Sequence, residues 1–62
     1  MNYKVLVVDD EAPVRELFND LFKKEGCLVK TASTGEESVE MIAKEDFEVV
    51  LMDIKLSGMN GL

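Results

Sequence analysis

Two short stretches share one form, and that form limits the folds open to this chain. Val5-Leu6-Val7-Val8 runs straight into Asp9-Asp10, and Val49-Val50-Leu51-Met52 runs straight into Asp53. Four apolar residues in a row are too few for a helix of ordinary length. Nor do they alternate with polar residues, as a strand with one wet face would. They predict strands buried on both faces of a parallel sheet. In open α/β sheets the chemistry gathers outside the carboxyl ends of the strands. Each of these two strands delivers acid to that end.

The segments between them complete the pattern. The first strand is predicted over Tyr3 to Val8. Pro13 suits the first turn of a helix, where its missing N–H costs nothing. From there Val14, Leu17, Phe18, Leu21 and Phe22 recur at helical spacing, with Arg15, Glu16, Asn19, Asp20, Lys23 and Lys24 on the other face. Gly26 follows as a natural C-cap. Cys27 to Ala32 reads as a second strand, and its mixed pattern with Lys30 and Thr31 suits a sheet edge. Ser33-Thr34-Gly35 ends it, and Thr34 with Glu37 fits the capping box that opens a helix. That helix, over residues 35–45, carries Val39, Met41, Ile42 and Ala43 on or near its inner face. Asp46 and Phe47 turn the chain into the third strand. The prediction is an α/β fold, β-α-β-α-β, with parallel strands joined by right-handed crossovers.

Composition removes several alternatives. The 62 residues make at most one domain, and a chain so short buries only about 60% of its unfolded surface. A net charge of −6 and a pI near 4.4 argue against a nucleic-acid-binding surface. Cys27 is the sole cysteine, so no internal disulfide staples the fold, and an inert buried thiol is its expected role. The absence of histidine removes His-based triads and most zinc sites. No apolar run approaches the ~20 residues of a membrane span, and the first residues do not form a signal peptide. A cytoplasmic location away from membranes is expected.

Taken singly, the carboxylates prove little, because Asp-Asp after a strand is more often a turn or capping pair. Geometry ties them together. If the first and third strands are neighbours, their ends lie about 4.8 Å apart, and Asp10 and Asp53 converge on one point. Carboxylates gathered so closely repel one another, and a hard divalent cation, Mg²⁺ or Mn²⁺, is the usual remedy. An aspartate-nucleophile phosphatase of the haloacid-dehalogenase kind would want Asp-x-Asp after the first strand. The chain has Asp9-Asp10-Glu11 instead, which ranks that enzyme reading low.

The whole chain resembles the N-terminal half of a response-regulator receiver domain from two-component signalling. Lys4-Val-Leu-Val-Val-Asp-Asp-Glu11, the helix with Arg15 and Leu17, Ala32 to Glu36, and Asp46 to Leu62 with its trailing Gly-Met-Asn-Gly-Leu carry the resemblance. It implies a partial flavodoxin-like fold, a three-stranded parallel sheet in the order 2-1-3. It also implies roles. Asp53 matches the phospho-accepting aspartate, which takes phosphate from the histidine of a partner kinase. Asp10 matches the direct side-chain ligand of Mg²⁺, and Asp9 the acid that holds the metal through water. The backbone carbonyl of Lys55 matches the third protein ligand, while the Lys55 side chain reads as an ordinary solvated lysine. Ser57 stands where the family usually has proline, and Asn60 where it often has aspartate.

The family pattern continues for roughly as long again. The resemblance therefore treats residues 1–62 as a truncated half, without the later strands, the hydroxyl residue and the lysine that sense the phosphoryl group. On that reading the third strand becomes an edge and the first helix loses a neighbour. Self-association through both surfaces is expected, with little or no phosphorylation and no enzyme activity beyond the family's own phosphotransfer. Two functional classes stay open: a phospho-acceptor signalling module, and a structural self-associating half-domain without signalling.

Overall fold

Five elements form within residues 3–52, the part of the chain that the computed structural model describes. They are β1 (Lys4–Val8), α1 (Ala12–Lys24), β2 (Leu28–Ala32), α2 (Gly35–Lys44) and β3 (Val49–Met52). The three strands are parallel and lie in the order β2-β1-β3. Val8 is in register with Ala32 on one side and with Met52 on the other, so all three strands end at one level.

The first apolar tetrad is the core. Val5, Leu6, Val7 and Val8 are each no more than 5% exposed. Side chains alternate along a strand, so they divide between the two faces of the sheet. Leu6 and Val8 join Ala32 in a cluster closed by Met41 of α2 and by Phe47. Val7 shares a cavity wall with Val14 and Phe18 of α1. Both helices pack over β1 and β2. Burying an aliphatic side chain fully contributes about 1.5–3 kcal/mol, so β1 supplies much of the driving force.

The helix ends show how local chemistry sets the element boundaries. At the end of α1, Gly26 takes φ 87°, a conformation that costs a side-chain-bearing residue energy. Its N–H donates to the Lys23 carbonyl and the Cys27 N–H to the Phe22 carbonyl, each at 3.0 Å. This is a Schellman closure, with Gly26 one residue beyond the cap residue Glu25. At the start of α2, the Glu37 N–H donates to Thr34 Oγ1 at 3.0 Å, as the capping pattern predicts. The return bond is displaced by one residue. The Glu37 carboxylate accepts from the N–H and the hydroxyl of Ser33, at 2.8 and 2.9 Å.

Three expectations about burial are corrected. On α1 the inward residues are Val14, Phe18 and Phe22, half-buried and four apart, whereas Leu17 and Leu21 are exposed. On α2 the fully buried residue is Ser38, with Met41 half-buried, while Val39 and Ile42 point to solvent and Ala43 is exposed. The second tetrad is not buried on both faces: Val49, Val50 and Met52 are about 40% exposed, and only Leu51 is half-buried. For the tetrad the reason is that, among the described residues, β3 pairs with β1 alone and neither helix packs over it; on the helices, the contact with β1 and β2 covers only part of each apolar face. Cys27 is a half-buried residue just ahead of β2 rather than inside it. No described helix is long and apolar enough to cross a membrane.

Candidate functional site

The acidic site is built by the end of β1. The Asp9 N–H still belongs to the sheet and donates to the Ala32 carbonyl at 3.1 Å. The chain then leaves the sheet and must turn into α1, whose cap residue Glu11 has extended backbone and no side-chain cap bond. Asp9 makes that turn. Its Oδ1 accepts from the Glu11 N–H at 2.9 Å, and its carbonyl accepts from Arg15 Nη1 at 2.7 Å. Three of its polar groups are thereby fixed, and the residue is only 3% exposed.

The fourth group is not matched. Asp9 Oδ2 is buried and has no hydrogen-bond partner among the described residues. A buried carboxylate oxygen without a partner costs free energy, about 1–3 kcal/mol or more for a charged group, so its presence calls for a reason. Asp10, next along the chain, is exposed. The two acids thus divide into an anchored one and a free-standing one at the same strand end.

Beside them lies a cavity of about 220 Å³ whose walls include Val7, Val14, Phe18, Leu51 and Met52, with Asp9 as the one acidic residue among the described residues that line it. It opens where β1 and β3 end together, since Val8 pairs with Met52. Asp53 follows Met52 in the sequence. Asp53 and Lys55 lie outside the described residues, and so do Ser57 and Asn60. Of the four expected site residues, then, Asp9 and Asp10 stand together at the carboxyl end of the central strand. Among the described residues no three acidic, cysteine or histidine side chains gather to hold a metal.

Arg15 helps carry the family resemblance, but from sequence it has no expected role in the site and sits on the polar face of α1. The available signal was its place in the first turn of α1, close enough to reach back to the strand end. It is half-buried, and it holds the strand end twice: the guanidinium binds the Asp9 carbonyl, and its own N–H donates to the Glu11 carbonyl at 3.1 Å. It also contributes to holding the Glu37 carboxyl below its ordinary range, after the larger effects of the Ser33 backbone and hydroxyl bonds.

The other end of the sheet is chemically different. There Glu45 binds Lys4 at 2.7 Å and Lys30 at 3.1 Å, and Lys4 Nζ lies 5.5 Å from the centre of the Phe47 ring. Both lysines hold the Glu45 carboxyl below its ordinary range. There the Glu45 carboxylate is paired with two lysines, whereas at the carboxyl end the buried Asp9 Oδ2 has no partner among the described residues.

Comparison with known proteins agrees with this geometry. The chain is 40% identical over its whole length to the sporulation initiation phosphotransferase F of Bacillus subtilis (strain 168), and spans half the length of that protein. No solved structure is a significant match. Residues 5–62 match the response regulator receiver domain. With β-α-β-α-β order, a 2-1-3 parallel sheet and an acidic pair after the first strand, the chain belongs to the response regulator receiver domain family of two-component phosphorelays.

Proposed function

We propose that this chain receives a phosphoryl group on the carboxylate of Asp53, from a phosphohistidine of a partner kinase or phosphotransferase. The observation that carries the reading is the buried, unpartnered Oδ2 of Asp9, level with the end of the strand that leads into Asp53. In the transfer, an Asp53 oxygen forms the new P–O bond while the P–N bond to the donor histidine breaks. The released imidazole nitrogen takes a proton. Such transfer needs mainly positioning and neutralisation of charge.

The donor set fits a hard divalent cation. It is all oxygen, and one of those oxygens is already desolvated without a partner. Asp10 and the Lys55 carbonyl would bind Mg²⁺ directly, Asp53 would share it, and Asp9 would hold it through water. When bound, Mg²⁺ supplies charge neutralisation on the transferring phosphoryl oxygens. The chain's own residues do the rest: Asp9 ties the loop to the sheet, and the apolar wall of Val7, Leu51 and Met52 limits water at one side. A cytoplasmic location goes with this reading.

The test is incubation with a small acyl phosphate and Mg²⁺, followed by mass spectrometry of the intact protein. In place of the little or no phosphorylation expected of a truncated half, one added phosphoryl group is expected here, lost on treatment with hydroxylamine and absent from Asp53→Asn. An unmodified protein, or equal modification of the variant, would sink the reading.

The exposed Val49, Val50 and Met52 of β3 and Leu17 and Leu21 of α1 favour a second reading. On it, the chain associates with another copy through that edge and helix face, because the apolar edge of β3, unpaired among the described residues, is a template for strand addition. Sedimentation at micromolar concentration would show a dimer or larger. A folded monomer would refute it.

A further inference from the structure

We propose that Arg15 is a positioning residue for the acidic site, holding the Asp9–Asp10 peptide so that the two carboxylates keep their mutual orientation. The proposal rests on the reading of this site as a Mg²⁺ centre, and deepens it. The carbonyl of Asp9 belongs to the peptide bond that joins the two acids. A peptide unit is planar, so whatever fixes that carbonyl fixes the direction in which the backbone enters Asp10. Arg15 Nη1 binds it at 2.7 Å, a length in the charge-assisted range. The other anchors act on different parts of Asp9: Ala32 holds its N–H, and the Glu11 N–H holds Oδ1. No other hydrogen bond to the Asp9 carbonyl is present among the described residues. Without the guanidinium, the carbonyl of this peptide loses its one described hydrogen bond, the turn is held only through the Asp9 N–H and Oδ1, and the orientation of the exposed Asp10 is less tightly fixed.

The guanidinium has a second, opposite effect, which makes the proposal testable. It is a positive charge beside a cation site, and by electrostatics alone its removal would tighten Mg²⁺ binding. As a positioning residue its removal must weaken binding, and partners of metal ligands typically cost about 10–100-fold in affinity when lost. The sign of the change separates the two roles. Arg15→Lys keeps the charge and one donor, so it is expected to keep most of the affinity.

The experiment has two arms on the full chain. The first is amide hydrogen exchange of the metal-free protein, read at the Glu11 N–H. Wild type and Arg15→Lys should protect it through the bond to Asp9 Oδ1, and Arg15→Ala should lose that protection while the β1 amides keep theirs. The second is calorimetric titration with Mg²⁺, where Arg15→Ala should bind about 10-fold more weakly and Arg15→Lys within about threefold of wild type. Unchanged Glu11 protection in Arg15→Ala overturns the proposal, and so does unchanged or tighter Mg²⁺ binding. Should Arg15→Ala fail to fold, Arg15→Gln, which keeps an N–H donor without charge, replaces it, with weaker binding than Arg15→Lys expected. If wild type itself gives no heat with Mg²⁺, the metal reading fails, and the exchange arm still decides the role of Arg15.

Discussion

β1 and β3 are near copies in sequence and opposites in environment. Val5-Leu6-Val7-Val8 and Val49-Val50-Leu51-Met52 are both unbroken apolar tetrads that end on aspartate. The first is buried to 5% exposure or less at every position, and the second has three of four residues about 40% exposed. The strands pair with each other residue for residue, so the sheet itself does not distinguish them. What differs is the second neighbour and the cover: β1 lies between β2 and β3 beneath both helices, and among the described residues β3 has neither. Burial is thus a property of position in the sheet, and an apolar tetrad only qualifies a segment for it.

The sharpest way to break this comparison is one substitution made in both strands. Val7→Ala removes packing at a 1% exposed site and should cost about 2–3 kcal/mol; a chain of this size has little to spare, so a broad or absent unfolding transition is expected. Val50→Ala, at a 39% exposed site, should cost under about 1 kcal/mol. Urea denaturation followed by circular dichroism measures both, and equal losses would mean that β3 is as buried in solution as β1. Overfilling the core should rank next. Ser38 is fully buried on the inner face of α2, so Ser38→Leu should lose about 1–3 kcal/mol, whereas Val39→Leu on the exposed neighbouring position should change little in the same assay.

A milder change sharpens the edge. Val50→Lys places charge on the exposed strand and should abolish any association while the melting temperature stays within a few degrees, as edge lysines do in other sheets. Sedimentation velocity reads it; an assembly that survives the lysine would place the contact elsewhere. Smaller again is the start of α2. Thr34→Ala removes the cap to the Glu37 N–H and should cost about 1 kcal/mol, read by thermal unfolding. The Glu37 carboxyl is held below its ordinary range, chiefly by the Ser33 N–H and then by the Ser33 hydroxyl. Its contribution is present at neutral pH and is lost as the pH falls below the ordinary glutamate range, through the lowered value. Glu37→Gln should therefore flatten a small part of the acid dependence of the helical signal, and an unchanged profile would show that this bond contributes nothing.

The sequence made element order, strand direction and the acidic strand end legible, because those depend on local periodicity and on residues a few positions apart. Pro13, Gly26 and Thr34 mark helix boundaries through backbone chemistry that acts within one turn. What it did not make legible is which apolar residues find cover. Leu17 and Phe18 are neighbours on one apolar arc, yet only Phe18 lies over the sheet, because the arc is wider than the contact that three strands provide. On α2 the same blindness is stronger: a serine is buried and a valine beside it is exposed. Ser38 satisfies its hydroxyl on the Gly35 carbonyl at 2.6 Å, so a small polar residue can face the core where hydropathy would not place it. In the site, the acids were legible as types, while the orphaned oxygen of Asp9 and the grip of Arg15 depend on how the turn folds.

The central place of β1 also bears on how the chain reaches this structure. The strand that everything pairs with is synthesised first, and its partners lie one crossover and then two crossovers later. No pair of strands here can zip from a hairpin, so each pairing waits on a loop closed through a helix. The local motifs, the Gly26 closure and the Ser33–Thr34–Glu37 turn, can form on their own timescale and shorten those loops before any sheet exists. The shorter crossover makes β1-α1-β2 the expected first nucleus, to which β3 would add, and φ-value analysis of Val7→Ala and Val50→Ala would test that order. On that order the carboxyl end of β1, where the acidic pair stands, takes shape before the strand that leads into Asp53 is in place.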